Sequence, residues 1–278
     1  MTRENDKMNP EAPNEEHVDE TPEGEKNHGE ENEDPRDDED LEEEPDADEE
    51  EGEESDDEED EEFERFDEMD ISEEVLKGIQ ELGFENAMEV QSVTFPRILD
   101  DEDLMVQSRT GSGKTAAFGI PFAQELVDID NESVQALVLC PTRELAKQVA
   151  KEVAAIGKYS GLKVLPVYGG APLGPQISAL EKGVHIVAGT PGRVLDHLKR
   201  KTLKTDDVSV LVLDECDEML SMGFQEDIHA IISFLPEDRQ TLLFSATITD
   251  EVGRLAQKYM NEPARISLSE DYIGVKEV

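Results

Sequence analysis

Tryptophan is absent from this 278-residue sequence, aromatic residues make up only 5% of it, and it contains two cysteines. Cys140 and Cys216 lack the C-x-x-C spacing of zinc and redox sites, so the sequence indicates neither a zinc site nor a disulfide framework. No apolar run approaches the roughly 20 residues that cross a bilayer, and the first residues lack the apolar segment of a secretion signal. We therefore expect a soluble intracellular protein that acts in the reducing cytoplasm, with the nucleus left open.

Basic residues are also scarce, with 25 lysines and arginines against 71 aspartates and glutamates and a net charge of −46. The excess is concentrated in residues 1–62, which hold 34 acidic and four basic residues, a net charge of −30. Because this segment has almost no apolar side chains to bury, we predict that it is a disordered acidic tail. The tail keeps the chain soluble, imitates nucleic acid in a local basic groove, or docks a protein partner. The overall charge argues against nonspecific polyanion binding by the whole molecule.

From residue 63 the composition becomes globular, and strand-like and helix-like segments alternate. The β-rich runs are Leu104–Gln107, Val134–Cys140, Lys163–Tyr168, His185–Ala188, Val208–Asp214, Thr241–Ser245 and Arg265–Leu268. The helix-like segments are residues 72–82, Glu89–Leu99, Lys114–Val127, Arg143–Lys158, Pro175–Glu181, Arg193–Lys199 and Glu251–Met260. This order predicts an α/β fold with a mostly parallel sheet and helices on both faces, whose ligands bind at the carboxyl ends of the strands. We expect Pro121 to kink the helix that contains it.

A glycine-rich segment, Ser108–Thr115, follows the strand-like run Leu104–Gln107 and opens a helix. The backbone N–H groups of such a turn, at the positive end of a helix dipole, bind phosphate groups. Lys114 then reaches the β- and γ-phosphates of a nucleoside triphosphate, and the Thr115 hydroxyl is a ligand for Mg²⁺. Ser108 replaces the first glycine of the general P-loop pattern, and the alternative is a flexible turn that binds nothing. The segment predicts binding of a nucleoside triphosphate.

A pair of carboxylates, Asp214 and Glu215, follows the apolar run Val210–Leu213. A carboxylate at such a strand end holds the Mg²⁺ that bridges the terminal phosphates, and a second one beside it orients or deprotonates the attacking water. Together with Lys114 this is the layout of an ATPase. The alternative is an acidic turn without a catalytic role.

With both elements placed, the sequence resembles a known family. The segment Asp214–Asp217 is similar to the signature of DEAD-box ATP-dependent RNA helicases, in the Asp-Glu-Cys-Asp variant. Segments similar to the family's motif Ia, GG motif, motif Ib and motif III occur in the family's order at Pro141–Ala146, Gly169-Gly170, Thr190–Arg193 and Ser245–Thr247. The resemblance covers about residues 63–270 and implies the first RecA-like domain of that family, which is a P-loop NTPase domain.

The resemblance also implies the residues that bind ATP. Gln91 and Phe66 resemble the family's Q motif, in which the glutamine reads the adenine edge and the aromatic ring stacks on the base. Two alternatives stay open, since Phe66 is also suited to packing against its helix and Gln91 to a solvated helix surface. The phosphate-binding residues are Arg109, Thr110, Gly111, Ser112, Gly113, Lys114 and Thr115. The catalytic residues are Lys114, Asp214, which with Thr115 holds Mg²⁺ partly through water, and Glu215 as general base.

For RNA, the candidate residues offer hydroxyls, exposed amides and a guanidinium, which position a nucleic-acid backbone without reading bases. The resemblance implies sequence-independent binding of single-stranded RNA by Pro141, Thr142, Arg143, Gly169, Gly170, Thr190, Pro191, Gly192 and Arg193. Taken singly these are weak signals, because a turn or a helix-start ion pair explains several of them. The resemblance further implies that Ser245 and Thr247 couple the nucleotide state to RNA through hydrogen bonds to Asp217.

The family has a second RecA-like domain, which supplies arginine fingers to the γ-phosphate and the other half of the RNA groove. We find no candidate for it in this sequence, and residues 271–278 are expected to begin the linker to it. We therefore expect this chain alone to bind ATP weakly, hydrolyse it poorly and unwind no duplex until that domain is supplied in cis or in trans. The leading hypothesis is the ATP-binding half of an ATP-dependent RNA helicase. The alternative is a non-catalytic RNA- or partner-binding module with an acidic docking tail.

Overall fold

The computed structural model describes residues 64–269 and the backbone of residues 272–276. The acidic tail predicted for residues 1–62 lies outside these ranges. The described residues build one twisted sheet with helices packed on both of its faces, which confirms the predicted α/β fold. Within the described part of the chain, no helix combines the length and the apolar character needed to span a membrane.

The sheet has seven parallel strands and an antiparallel edge strand, in the order β3-β4-β2-β5-β6-β1-β7-β8. The strands are β1 (Leu104–Gln107), β2 (Ala136–Leu139), β3 (Val164–Val167), β4 (Ile186–Gly189), β5 (Val210–Leu213), β6 (Gln240–Ser245), β7 (Ala264–Ser269) and β8 (Tyr272–Lys276). Each of the seven runs predicted from the sequence becomes one parallel strand. The edge strand β8, which pairs with β7, was not predicted and covers part of the expected linker.

The helices are α1 (Glu73–Glu81), α2 (Glu89–Leu99), α3 (Lys114–Pro121), α4 (Arg143–Ile156), α5 (Leu173–Glu181), α6 (Pro191–Lys199), α7 (Cys216–Ser221), α8 (Gln225–Ile232) and α9 (Asp250–Tyr259). Three of them begin at a hydroxyl side chain that accepts a backbone N–H of the first turn. These N-caps are Ser72 for α1, Thr142 for α4 and Thr249 for α9. Each such cap stabilises its helix by about 1 kcal/mol. The patterns in the sequence predict neither α7 nor α8.

Pro121 ends the α-helical hydrogen bonding of α3, and the chain continues as a short π-helix, Phe122–Leu126. Proline has no N–H to donate and its ring crowds the carbonyl four residues earlier, so a wider turn relieves the conflict. The interruption predicted at Pro121 is therefore present as a change of helix type.

Apolar side chains alternate between the two faces of the central strands. In β5, Leu211 and Leu213 face one apolar cluster, whereas Val210 and Val212 face the other. Helices α6 to α9 cover the first face, and α2 to α4 cover the second. Because both faces are buried, these strands are continuous apolar runs, and their burial is the main stabilising contribution to the fold.

Candidate functional site

The predicted functional segments meet at one edge of the sheet. Seven strands run parallel, so their carboxyl ends share that edge. The strands β1, β5 and β6 deliver Ser108, Asp214 and Ser245 to one half of the edge, and β2, β3 and β4 deliver Pro141, Gly169 and Thr190 to the other half. The adjacent strands β2 and β5 join the two halves, and the N–H of Asp214 donates to the carbonyl of Leu139 at 2.9 Å.

The loop between β1 and α3 folds around the side chain of Lys114. Gly111 and Gly113 adopt φ values of 84° and 85°, a left-handed conformation that glycine adopts at little cost. The Lys114 side chain is buried, and its Nζ donates to the carbonyl oxygens of Ser108 at 3.2 Å and Arg109 at 3.3 Å. The loop therefore holds an ammonium group in its centre, while Arg109, Thr110 and Gly111 are exposed at its tip. The hydroxyls of Ser108 and Ser112 bond to each other.

Asp214 is a buried carboxylate whose Oδ1 has no hydrogen-bond partner in the described structure. Burial raises its pKa to about 6, although the nearby Lys114 ammonium opposes that rise. An unpartnered carboxylate oxygen of this kind is costly in a dry interior and fits a site for a cation or its bound water. Among the described residues no three His, Cys, Asp or Glu side chains group to hold a metal by themselves. A metal here would need phosphate oxygens or water as further ligands, and the Thr115 hydroxyl lies at the start of α3 to provide one more.

Glu215 sits in the left-handed region, with φ 51° and ψ 53°, directly before α7. This conformation is uncommon for a residue other than glycine and costs about 1 kcal/mol. Strained backbone of this kind concentrates at functional sites, where the surrounding structure enforces it. The half-buried Glu215 is therefore held beside Asp214 against its local preference.

Gln91 connects α2 to the loop that surrounds Lys114. Its Oε1 accepts the N–H of Met88 at 2.9 Å, and its Nε2 donates to the carbonyl of Gly113 at 3.0 Å. With only 4% of the residue exposed, Gln91 is not the solvated helix residue that the sequence left open. A Cβ on Gly113 would lie 2.4 Å from the Gln91 Nε2, so the contact also requires glycine at that position.

Phe66 is buried beneath the same region. Only 1% of it is exposed, and it belongs to an apolar cluster with Val75, Ile79 and Phe95. Its N–H donates to the carbonyl of Glu85 at 3.2 Å. The structure thus places Phe66 in the packing role that the sequence offered as an alternative, and in this conformation neither ring face is open to a base.

The end of β6 and the start of α7 are joined by hydrogen bonds. The N–H of Asp217 donates to the Ser245 Oγ at 3.1 Å, and that hydroxyl donates to the carbonyl of Thr247 at 2.8 Å. Thr247 in turn donates to the Asp217 carboxylate from its N–H and its hydroxyl. Burial raises the pKa of Asp217, but the hydrogen bonds from Thr247 and Ser245 outweigh it, and the net pKa is lowered. The predicted contacts among these three residues are present.

The second half of the edge presents two helix N-termini and an exposed glycine turn. Thr142 caps α4 by accepting the N–H of Leu145 at 3.2 Å, and the exposed Arg143 pairs with Glu144 at 2.6 Å. Thr190 precedes α6, whose first residues Pro191 and Gly192 are buried and exposed respectively. The glycine turn lies next to α4, since a Cβ added to Gly170 would be 3.6 Å from the Arg143 guanidinium. Exposed amides at helix N-termini favour anions such as phosphate.

Sequence reasoning missed a buried polar group behind this surface. Arg193 donates from Nη1 to the carbonyl of Ala171 at 3.1 Å and to the Oε1 of Gln176 at 3.2 Å. Gln176 also contacts the buried His197. The partners come from separate segments of the chain, so no local pattern signals the group.

Comparison with known proteins accounts for this arrangement. Residues 88–255 match the family model described as DEAD/DEAH box helicase. The chain belongs to this family. The DEAD-box ATP-dependent RNA helicase CshA of Geobacillus kaustophilus is 50% identical over 203 residues, which are 73% of this chain and 43% of that protein. The Streptococcus pneumoniae CshA is 48% identical over 205 residues, which are 74% of this chain and 39% of that protein.

Solved DEAD-box structures show the same fold. A crystal structure of a DEAD box protein from Methanococcus jannaschii is 44% identical with a TM-score of 0.71, and the match covers 74% of this chain and 56% of that one. Saccharomyces cerevisiae Dbp5, solved as a variant bound to Nup159, Gle1, IP6 and ADP, is 32% identical with a TM-score of 0.65 and coverages of 72% and 53%. This DEAD-box chain spans about two fifths of the length of the curated relatives it matches.

Proposed function

We propose that this chain is the ATP-binding half of a DEAD-box ATP-dependent RNA helicase, which couples ATP binding and hydrolysis to single-stranded RNA binding and local duplex unwinding. The observation that carries the proposal is that, at one edge of the sheet, the Lys114 ammonium lies near enough to the buried Asp214 carboxylate to oppose the rise that burial causes in its pKa, while the Asp214 Oδ1 has no hydrogen-bond partner in the described structure. A cation and an acid at such an edge fit a magnesium–triphosphate better than any uncharged ligand. The yeast neighbour was solved with ADP bound, which supports the proposal that this fold takes an adenine nucleotide.

The chain's own residues divide the work of nucleotide binding. Lys114 binds the β- and γ-phosphates, and the loop Arg109–Gly113 surrounds them with backbone N–H groups. Gln91 holds the loop through Gly113 and keeps its second amide proton and second oxygen lone pair for the adenine edge. Phe66 packs in an apolar cluster in this conformation, and it would stack on the base only after a rearrangement that exposes its ring.

Thr115 and Asp214 would hold Mg²⁺, Asp214 partly through water, and the ion would neutralise negative charge on the phosphates. Glu215 takes a proton from the attacking water as general base, and its fixed backbone orients it for that transfer. Lys114 binds the γ-phosphate while the charge of the transferring group develops. Proton transfer by a positioned carboxylate contributes roughly a hundredfold or more to the rate.

RNA would bind along the second half of the edge, through Pro141–Arg143, Gly169-Gly170 and Thr190–Arg193. Hydroxyls, amides and guanidinium groups contact the phosphate backbone there, so binding does not depend on base sequence. Ser245 and Thr247 transmit the nucleotide state to this surface through Asp217. We expect the protein to work in the cytoplasm with a second RecA-like domain, and the acidic tail to be a docking element for a protein partner.

Replacement of Glu215 tests the proposal directly. The chain is fused to the second RecA-like half of the Geobacillus kaustophilus helicase, and ATP hydrolysis is measured with and without single-stranded RNA. Glu215→Gln should lower turnover at least a hundredfold and leave the Kd for ATP unchanged. Glu226→Gln, an exposed acid on α8, should behave as wild type.

Two results would overturn the proposal. Unchanged turnover of the Glu215→Gln fusion would reject Glu215 as the base. Hydrolysis that RNA does not stimulate in the wild-type fusion would reject the helicase assignment and indicate another class of P-loop ATPase.

A further inference from the structure

Gln176, on α5, occupies the centre of a buried hydrogen-bond network behind the proposed RNA surface. Its Nε2 donates to the carbonyl of Tyr168 at 3.2 Å. Its Oε1 accepts from the Arg193 Nη1 at 3.2 Å and bonds to the His197 Nε2 at 2.9 Å. Only 6% of Gln176 is exposed, so all three partners satisfy polar groups that have little access to water.

The orientation of each group follows from its partners. A carbonyl oxygen only accepts, so the amide nitrogen of Gln176 faces Tyr168 and its oxygen faces Arg193 and His197. The Nε2 of His197 must then carry a proton and donate it. The Thr202 hydroxyl donates to the His197 Nδ1 at 2.8 Å. Burial and then the nearby Arg193 charge lower the pKa of His197, which agrees with a neutral ring. The Thr202 hydroxyl also lies 3.2 Å from the carbonyl of His197, so its proton has a second acceptor, whereas the orientation of the Gln176 amide is set by Tyr168 and Arg193.

The network holds the Gly169-Gly170 turn at both ends through two hydrogen bonds, which we call the clasp. Gln176 bonds to the carbonyl of Tyr168, which directly precedes the turn. Arg193 bonds to the carbonyl of Ala171, which directly follows it, at 3.1 Å. The turn itself is exposed, and Gly170 adopts a φ of 79°. The carbonyls of Tyr168 and Ala171 are therefore bonded within the protein. The backbone N–H groups of the exposed glycines remain available to a ligand.

The same network fixes Arg193. Both side-chain hydrogen bonds of Arg193 use Nη1, so within the described structure Nη2 and Nε stay available to donate to a phosphate. Arg193 and His197 lie four residues apart on α6 and therefore on one face of that helix. Gln176 bonds to both, so it sets the distance between the guanidinium and the glycine turn.

We propose that Gln176 is a positioning residue for RNA, which holds the Gly169-Gly170 turn and Arg193 in the mutual arrangement that binds one RNA phosphate. Gln176 does not touch RNA itself. The inference rests on the proposed RNA-binding function of this surface. It adds a residue outside the segments that the sequence indicated.

The test replaces Gln176 with methionine, which has similar volume and no amide. The matched control is Gln240→Met at the opposite edge of the sheet. Gln240 is equally buried, and its Nε2 donates to the carbonyls of Ile98 at 3.0 Å and Glu102 at 2.9 Å. Both variants lose buried amide hydrogen bonds, and Gln240→Met should lose less thermal stability because the Gln240 Oε1 has no partner in the described structure. Only Gln176 contacts the proposed RNA surface, so a loss of RNA affinity is expected for Gln176→Met alone.

Fluorescence anisotropy of a labelled single-stranded RNA gives the Kd for the two-domain fusion described above and for both variants in that fusion, with a non-hydrolysable ATP analogue and Mg²⁺ present. Gln176→Met should weaken RNA binding about tenfold, as expected when the lost hydrogen bonds orient a charged contact. It should leave the Kd for the nucleotide unchanged. Gln240→Met should change neither constant. Equal RNA affinity of the two variants would overturn the inference.

Hydrogen–deuterium exchange keeps the two proposals separable. Peptides that cover residues 166–172 should exchange faster in Gln176→Met than in wild type or Gln240→Met, because the clasp on the turn is lost. If wild type binds no RNA, the proposed function fails. The exchange rate of the turn then still tests whether Gln176 holds the turn in place. Unchanged exchange in Gln176→Met would overturn the positioning role in every case.

Discussion

Thr247 donates two hydrogen bonds to a single oxygen of Asp217, from its backbone N–H at 2.8 Å and from its hydroxyl at 2.7 Å. Asp217 lies in the first turn of α7, two residues after Glu215, and Thr247 lies just after β6. We propose that a shift of α7 at the nucleotide site is passed through this contact to the segment that follows β6. This contact is the physical basis of the coupling role proposed for Ser245 and Thr247.

Thr247→Val removes the hydroxyl and keeps the backbone bond. We expect the free energy of unfolding to fall by about 1 kcal/mol, since this charge-assisted bond is partly exposed. In the two-domain fusion, RNA stimulation of ATP hydrolysis should fall while the Kd for ATP stays constant. The control is Thr241→Val, because the buried Thr241 hydroxyl has no partner in the described structure and its loss should be neutral or stabilising. Full RNA stimulation in Thr247→Val would argue against coupling through Asp217.

Asp214 should destabilise the ligand-free protein at neutral pH. Its pKa in the folded chain is about 6, raised by burial from 3.8. A carboxyl whose folded pKa lies above its unfolded value favours folding only when protonated, so ionised Asp214 costs about 3 kcal/mol above pH 6. Asp214→Asn should therefore raise the free energy of unfolding at pH 7.5 in a metal-free buffer with EDTA. The gain should shrink toward zero as the pH falls from 6 to 4.

Denaturant unfolding of both proteins at several pH values measures that difference. Asp207→Asn, an exposed acid in the segment before β5, removes the same formal charge and should give no comparable gain. A stabilisation of Asp214→Asn that does not vary with pH would show that the carboxylate is not the destabilising group.

Gly113→Ala should disrupt the contact between the phosphate-binding loop and Gln91. Alanine at a φ of 85° costs about 1 kcal/mol, and its Cβ would also lie 2.4 Å from the Gln91 Nε2. Gly223→Ala isolates the conformational cost, since Gly223 has a φ of 83° and open space around the added methyl. Calorimetry should show lost ATP affinity for Gly113→Ala and unchanged affinity for Gly223→Ala. If Gly113→Ala and Gly223→Ala lost the same unfolding free energy and bound ATP equally well, the contact between Gly113 and Gln91 would have no role in ATP binding.

Neither cysteine should react with a thiol reagent in the folded chain. Burial raises the pKa of the Cys216 thiol to about 12 and that of Cys140 well above its usual value. Both side chains are fully buried. Labelling at pH 8 should be absent without denaturant and should reach two thiols in guanidinium chloride. Rapid labelling of native protein would contradict the burial of both thiols.

The sequence predicted the sheet well because its strands are buried on both faces. Runs such as Val210–Leu213 are apolar at every position, and their regular alternation with helical segments leaves few other folds. Helices α7 and α8 were not predicted because the acidic signature does not resemble a helix start. Glu215 occupies the position where a capping residue usually stands, and it adopts a left-handed conformation there.

The residues of the candidate site also differ in whether a local sequence pattern predicts them. Lys114 and Asp214 were found because each follows a strand in a recognisable local pattern. Gln176 was not found because its partners Tyr168, Arg193 and His197 come together only through the packing of α5 and α6. The packing of Phe66 depends on residues of α1 and α2, so the sequence around Phe66 could not predict it.

The central claim is that Lys114 and Asp214 serve the same magnesium–triphosphate. Isothermal titration calorimetry of the 278-residue chain with ATP, in the presence and absence of Mg²⁺, tests it most directly. Lys114→Ala should weaken ATP binding about tenfold or more under both conditions, because a charged contact to phosphate is lost. Asp214→Asn should abolish the tightening that Mg²⁺ gives to wild type. If Asp214→Asn binds ATP as tightly as wild type with the same dependence on Mg²⁺, the two residues do not share a ligand and the account is wrong.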